Sequence, residues 1–246
     1  MRDGRPGAGA TQGAVLAAAL FPTLATWLYF VVLPGSRWLL PVYVGCKVVQ
    51  FVFPVAWVEL QKPAPPGPSP PGPLSQGRGG TGAGLLGGVL SGLGLAAFVL
   101  MVWRVFLAGG PLAARAAQAA GAKLAAFGIE TAGGYLLLAV FYSVFHSLLE
   151  EYYWRWFVFG HLRRSLPVAA AAVLSSLAFM AHHVLVVGEL AGAYDARTWL
   201  LASTVGAGGL VWAWLYHRSR SLAGPWISHA LVDAALLWIG YGLWRP

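Results

Sequence analysis

The chain has 246 residues, of which 58% are hydrophobic and only 10% charged, against about 25% charged in an average soluble domain. Sixteen lysines and arginines outnumber eight acids for a formal charge of +8, but the bases are spread between apolar runs, which argues against a nucleic-acid surface and for a polytopic membrane protein. A single cysteine, Cys46, excludes an intrachain disulfide and a thiolate metal cage.

A run of about 20 apolar residues crosses the hydrocarbon core. Seven crossings are predicted, over residues 13–33, 39–60, 84–108, 130–156, 167–188, 198–217 and 224–243. The first follows Arg2 and Arg5 as a signal peptide would, but it continues through Trp27 to Val32 with no small-residue cleavage pattern, so an uncleaved helix is expected. Between the second and third crossings, residues 61–82 are rich in proline and glycine and read as an extended cytoplasmic linker. Gly84, Gly88 and Gly92 recur every four residues in the third crossing, a small-residue stripe suited to close helix packing inside the bundle. Residues 111–126, alanine-rich with Arg115, Gln118 and Lys123, read as a short interfacial helix. The expected organisation is an N-terminal membrane unit, 1–126, followed by a membrane core, 127–246.

With the N-terminus in the cytoplasm, the inside holds Arg2, Arg5, Lys62, Arg78, Arg163, Arg164, Arg218 and Arg220, and the outside holds Arg37, Arg115, Lys123, Arg197 and Arg245. That bias favours the N-terminus inside. Trp38, Trp103, Trp199, Trp226 and Trp244 fall near predicted helix ends, where amphipathic rings suit the headgroup layer.

Charged side chains at mid-membrane cost on the order of 2.5 to 3.5 kcal/mol each on insertion scales, so those that cannot reach an interface need a partner or a function. Lys47, Glu59, Arg104, Glu130 and His217 lie within about two turns of a predicted end and are read as snorkelling. What remains is His146, Glu150, Glu151, Arg155, His182, His183, His229 and Asp233, in the fourth, fifth and last crossings. Glu151 and Arg155 are four apart and can pair on one face. Glu150 points roughly 100° away and lacks Arg155 as a neutraliser, which makes it the candidate acid or base. Phe179 and His183 share one face of the fifth crossing, and His229 and Asp233 share one face of the last. A carboxylate withdrawn from bulk water can take a proton from a bound water, and imidazoles can orient that water or donate to an oxyanion. The set suits amide hydrolysis in an intramembrane polar cavity, and no serine lies in a nucleophile-elbow sequence.

The order Glu150-Glu151-x-x-x-Arg155, Phe179-x-x-x-His183, His229-x-x-x-Asp233 resembles the CPBP family of intramembrane proteases, which includes CAAX prenyl endopeptidases and bacteriocin-immunity proteins of the Abi type. The match spans about residues 140–235 and implies an all-α, polytopic transmembrane helix bundle. The resemblance implies that Glu150 activates water with help from His183, that Glu151, Arg155 and Phe179 support the site, and that His229 and Asp233 stabilise the oxyanion. Asp233 departs from the prenyl endopeptidase pattern, which has asparagine there; an ionised aspartate cannot donate a hydrogen bond, so it must be protonated, orient His229 or bind something positive. His146 and His182 are read as supporting groups around the site.

No cofactor is favoured. Zinc is the alternative, held by Glu150, His183 and His229 with a water in the open position, because that donor set is one zinc accepts. The expected function is an intramembrane endopeptidase acting on a membrane-associated peptide or protein, in a lipid bilayer of the bacterial cell-membrane type, with no nucleic-acid partner. The second reading is a non-catalytic immunity or scaffold protein that keeps the motif as a buried polar network. An ion or proton pathway ranks last, since no polar series reaches both faces.

Overall fold

The computed structural model describes residues 8–61, 81–192 and 194–244. Most of the proline-rich linker, residues 62–80, lies outside the described residues, as do Arg2, Arg5, Lys62, Arg78 and Arg245 of the orientation reading. Among the described residues all regular structure is helical, and seven helices are long and apolar enough to cross a membrane.

Helix α1 (Ala8–Trp27) runs into a wider π-type turn, Leu28–Val32, and α2 spans Leu39–Gln61. Helix α3 (Thr81–Val102) ends in a second π-type turn, Trp103–Leu107. The shorter α4 (Pro111–Ala126) opens with proline at its first position, where the missing N–H costs nothing, and buries Ala113 and Leu124. Beyond it come α5 (Ala132–Ser165), α6 (Val168–Ala191), α7 (Ala196–Ser219) and α8 (Ala223–Trp244). Thr131 caps α5 by accepting from the Gly134 N–H, and Asp195 caps α7 by accepting from Arg197 and Thr198. Pro167 and the left-handed Gly192 bracket α6.

The fourth crossing corrects the expected boundary at 156. Helix α5 continues through the aromatic stretch after Arg155 to Ser165, because Arg155 is neutralised internally and Trp156 to Phe159 extend the apolar run. It is also not a uniform α-helix. Two π-type turns, Phe141–His146 and Tyr152–Phe159, flank one α-helical turn, Ser147–Glu151. A π-type turn takes an extra residue and rotates the faces that follow it, a device common at functional sites.

The bundle is apolar outside and most tightly packed around α5. Leu16, Leu24, Val48, Leu90, Leu137, Trp214 and Trp238 are exposed, as lipid-facing residues must be. The core gathers Tyr153, Trp154, Phe157, Val158, Phe179, Trp212 and Leu215, with Ala18 of α1 closing one side. The glycine stripe of α3 packs inside the bundle as expected. A Cβ on Gly88 would meet the Gly224 backbone, and one on Gly92 would lie 2.8 Å from the Ser228 Cα. Ser91 and Ser228 hydroxyls meet at 3.1 Å across the same contact. Tyr153 donates to the Ala18 carbonyl at 2.6 Å. The two sequence units divided at residue 126 therefore interleave: α1 and α3 close around α5 and α8.

Candidate active site

The site is built where the single α-helical turn of α5 meets α6 and α8. That turn presents Glu150 and Glu151 inward, and the apolar walls supplied by Trp154, Phe179 and Trp212 keep them from lipid. Each glutamate has a different surrounding, and the difference lies in distances.

Glu151 is closely partnered on both oxygens. It is 0% exposed, sits 3.1 Å from Arg155 Nε and accepts from His229 Nδ1 at 2.8 Å. The Arg155 contact is an ion pair by distance without hydrogen-bond alignment, since neither Nε nor the Glu151 Oε2 meets the angular criterion. The guanidinium is held instead by two rings, its Cζ standing 4.7 Å from the Phe179 centroid and 5.1 Å from that of Trp212. Trp212 also stacks on His229 at 3.9 Å and 14° and donates to Ser228 at 3.0 Å. Because a carboxylate can only accept, the Glu151 contact places a proton on His229 Nδ1 and leaves Nε2 facing Glu150 and Asp233.

Glu150 is partnered less closely. Its side chain retains 5% exposure, and its neighbours stop short of hydrogen-bonding distance: His182 Nε2 at 3.7 Å and His229 Nε2 at 3.8 Å. His183 is turned by its own backbone, its Nδ1 donating to the Phe179 carbonyl at 2.9 Å, which leaves Nε2 as the free ring nitrogen. Ligating atoms of Glu150, His182 and His183 lie within 4.8 Å of one another. Asp233 Oδ1 is 3.6 Å from His229 Nε2, one turn further along α8. Three helices thus converge on one buried acid.

Residues 132–235 match the family model for the type II CAAX prenyl endopeptidase Rce1-like proteins. This part of the chain is similar to the Rce1-like family. No curated protein and no solved structure matches the chain. The Rce1-like segment contains every residue gathered so far, and it lies inside the expected core of 127–246.

Several features of the Rce1-like site are ones that spacing within single helices does not reveal. His229 lies six residues into α8 while His183 lies fifteen residues into α6, so equal depth is not expected by counting. The structure reconciles them because the first turn of α8 is already inside the bundle, with Leu222, Gly224 and Pro225 buried. His182, read as a supporting group, reaches Glu150, and it stacks parallel to Trp154 at 5.6 Å. The geometric trio contains His182 where the zinc alternative has His229. His146 lies one turn before Glu150 and packs on Tyr142 at 4.8 Å.

A further set of polar groups comes from helices outside the family match. Tyr29 of α1 and Tyr43 of α2 meet edge to face at 5.1 Å, and Tyr43 interacts with Tyr142 of α5. Lys47 donates to Gln50 at 3.3 Å and lies close enough to Glu150 to interact with it electrostatically. Lys47 is therefore turned toward the bundle rather than snorkelling to an interface. Gln50, only 3% exposed and three residues after Lys47 in a mostly apolar helix, is the sequence signal that could have marked this face.

Proposed function

We propose that the protein is an intramembrane endopeptidase that hydrolyses a peptide bond of a membrane-associated peptide or protein, with Glu150 as the base that activates water. The observation that carries this reading is the convergence of imidazoles on the buried Glu150, with His182 and His229 at 3.7 and 3.8 Å and His183 in the same cluster, inside a segment that matches a protease family. A water there can hydrogen-bond to Glu150 while His183 Nε2 or His182 Nε2 fixes its orientation. Attack on the scissile carbonyl moves the water proton to Glu150 and forms a C–O bond; Glu150 then returns that proton to the departing amine as the C–N bond breaks.

The tetrahedral oxyanion needs a donor, and His229 supplies one from Nε2 when its ring is doubly protonated. Glu151, Asp233 and Glu150 lie within 2.8 to 3.8 Å of its ring nitrogens and compensate that charge. In this reading Asp233 works through His229 rather than by donating to the oxyanion itself. Low dielectric and water exclusion strengthen each of these contacts.

The same residues fit a zinc ion as the second reading. Glu150, His182 and His183 offer one carboxylate and two imidazoles within 4.8 Å, and the bond from His183 to a carbonyl is the outer support that metal-binding histidines use. A bound zinc would supply Lewis acidity and a more acidic water at this place. We place the N-terminus in the cytoplasm of a bacterial-type membrane. Purification in detergent, metal analysis and a peptide-cleavage screen of wild type against E150Q test the proposal. Cleavage lost in E150Q with folding intact supports it. Cleavage retained in E150Q removes Glu150 as the base, and a biological phenotype that survives E150Q in a protein with no detectable cleavage favours the non-catalytic immunity or scaffold reading.

A further inference from the structure

A second polar site lies at the far end of α5, away from the glutamates. His161, Arg163, Arg164 and Tyr216 line a cavity of about 250 Å³ together with Val58, Trp156 and Gly160. Among the described residues no carboxylate lines it, and Glu59, the nearest acid along α2, is exposed and is not part of the wall. His161 is 6% exposed and donates from Nδ1 to the Phe157 carbonyl at 2.8 Å, so its other nitrogen, Nε2, is buried with no partner among the described residues. Two guanidinium groups and an unsatisfied imidazole around a void, with no acid among them, make a site for an anion.

Position selects the anion. The wall is drawn from the last turns of three spanning helices: Val58 lies three residues before the end of α2, Arg163 and Arg164 precede the end of α5 at Ser165, and Tyr216 precedes the end of α7 at Ser219. That is the level at which a spanning helix leaves the hydrocarbon and meets the headgroup layer. Arg218 lies in the same last turn of α7 as Tyr216, and Arg163 Nη1 donates to His217 Nδ1 at 3.5 Å. Val58 and Trp156, both half-buried, supply an apolar flank. Basic pockets between membrane helices at this level bind lipid phosphates.

We infer that this cavity binds the phosphate of an anionic phospholipid, with Arg163 and Arg164 holding its oxygens and the glycerol side lying against Val58 and Trp156. A headgroup hydroxyl beside that phosphate supplies the donor that His161 Nε2, an acceptor while Nδ1 donates to Phe157, lacks among the described residues. The site is independent of the chemistry at Glu150. Arg is the suitable residue here because its fork presents paired donors to phosphate oxygens.

The test is lipid retention by the full-length protein purified in detergent, read by native mass spectrometry after exchange with phosphatidylglycerol or phosphatidylcholine. Wild type is expected to retain one phosphatidylglycerol about tenfold more strongly than phosphatidylcholine. R163Q/R164Q is expected to lose that preference. R37Q/R197Q, which removes two charges from exposed positions on other parts of the bundle, is expected to keep it. Retention unchanged in R163Q/R164Q, or lost equally in R37Q/R197Q, overturns the site. Thermal stabilisation by sodium phosphate equal to that by phosphatidylglycerol overturns the lipid as its ligand. Should the double variant fail to fold, R164Q alone changes only an exposed side chain; a loss of about fivefold is expected, and an unchanged preference overturns the inference.

Discussion

Glu150 and Glu151 are adjacent in sequence and share one buried turn, yet they occupy opposite kinds of environment. Around Glu151 every neighbour is close: Arg155 at 3.1 Å and His229 at 2.8 Å, with no exposed surface left. Around Glu150 the nearest nitrogens stand at 3.7 and 3.8 Å. In the proposed reading the closely partnered carboxylate holds the helices together, and its looser neighbour is the one that activates water.

Variants that attack the closely partnered side sharpen this comparison most. R155M leaves Glu151 charged and buried without its cation, and a loss of about 3 to 5 kcal/mol of stability is expected in detergent unfolding. The pair E151Q/R155M, with neither charge present, should recover much of that loss, because removing both partners costs far less than orphaning one.

Next in size is His229, which touches both halves. H229A should lower kcat of peptide cleavage by about 100-fold to 1,000-fold, the usual effect of losing an oxyanion donor. A matching fall in kcat/KM with KM unchanged is expected, since the contact is made in the transition state. A change confined to KM would break the assignment.

Smaller effects belong to residues that orient others. H182A should reduce the rate by about 10-fold to 100-fold, measured on folded protein, as loss of an orienting partner does. D233N keeps the shape and removes a charge 3.6 Å from His229, and a change of less than about tenfold is expected if Asp233 acts through the ring. Loss of all activity in D233N would instead assign it a direct role.

The seven spans and the Glu151–Arg155 pair were legible in the sequence because hydropathy and four-residue spacing are properties of one helix at a time. The end of α5 was not: the predicted span stopped at 156, about the length needed to cross the core, whereas the helix runs on through residues 156–159 to Ser165. The meeting of His183 with His229 was hidden for a related reason. Counting residues gives depth along each helix but not how helices slide past one another, and the buried first turn of α8 sets that offset. Lys47 and the tyrosines of α1 and α2 escaped notice because they form no motif; only packing brings them toward Glu150.

The division of labour between the two glutamates is tested most directly by thermal unfolding of E150Q and E151Q side by side in one detergent. E150Q is expected to melt at or slightly above wild type, since its carboxylate has no close partner to lose and such sites trade stability for function. E151Q is expected to melt well below wild type, by several degrees, because it orphans Arg155. Equal melting of the two variants, or the reverse order, would contradict the account.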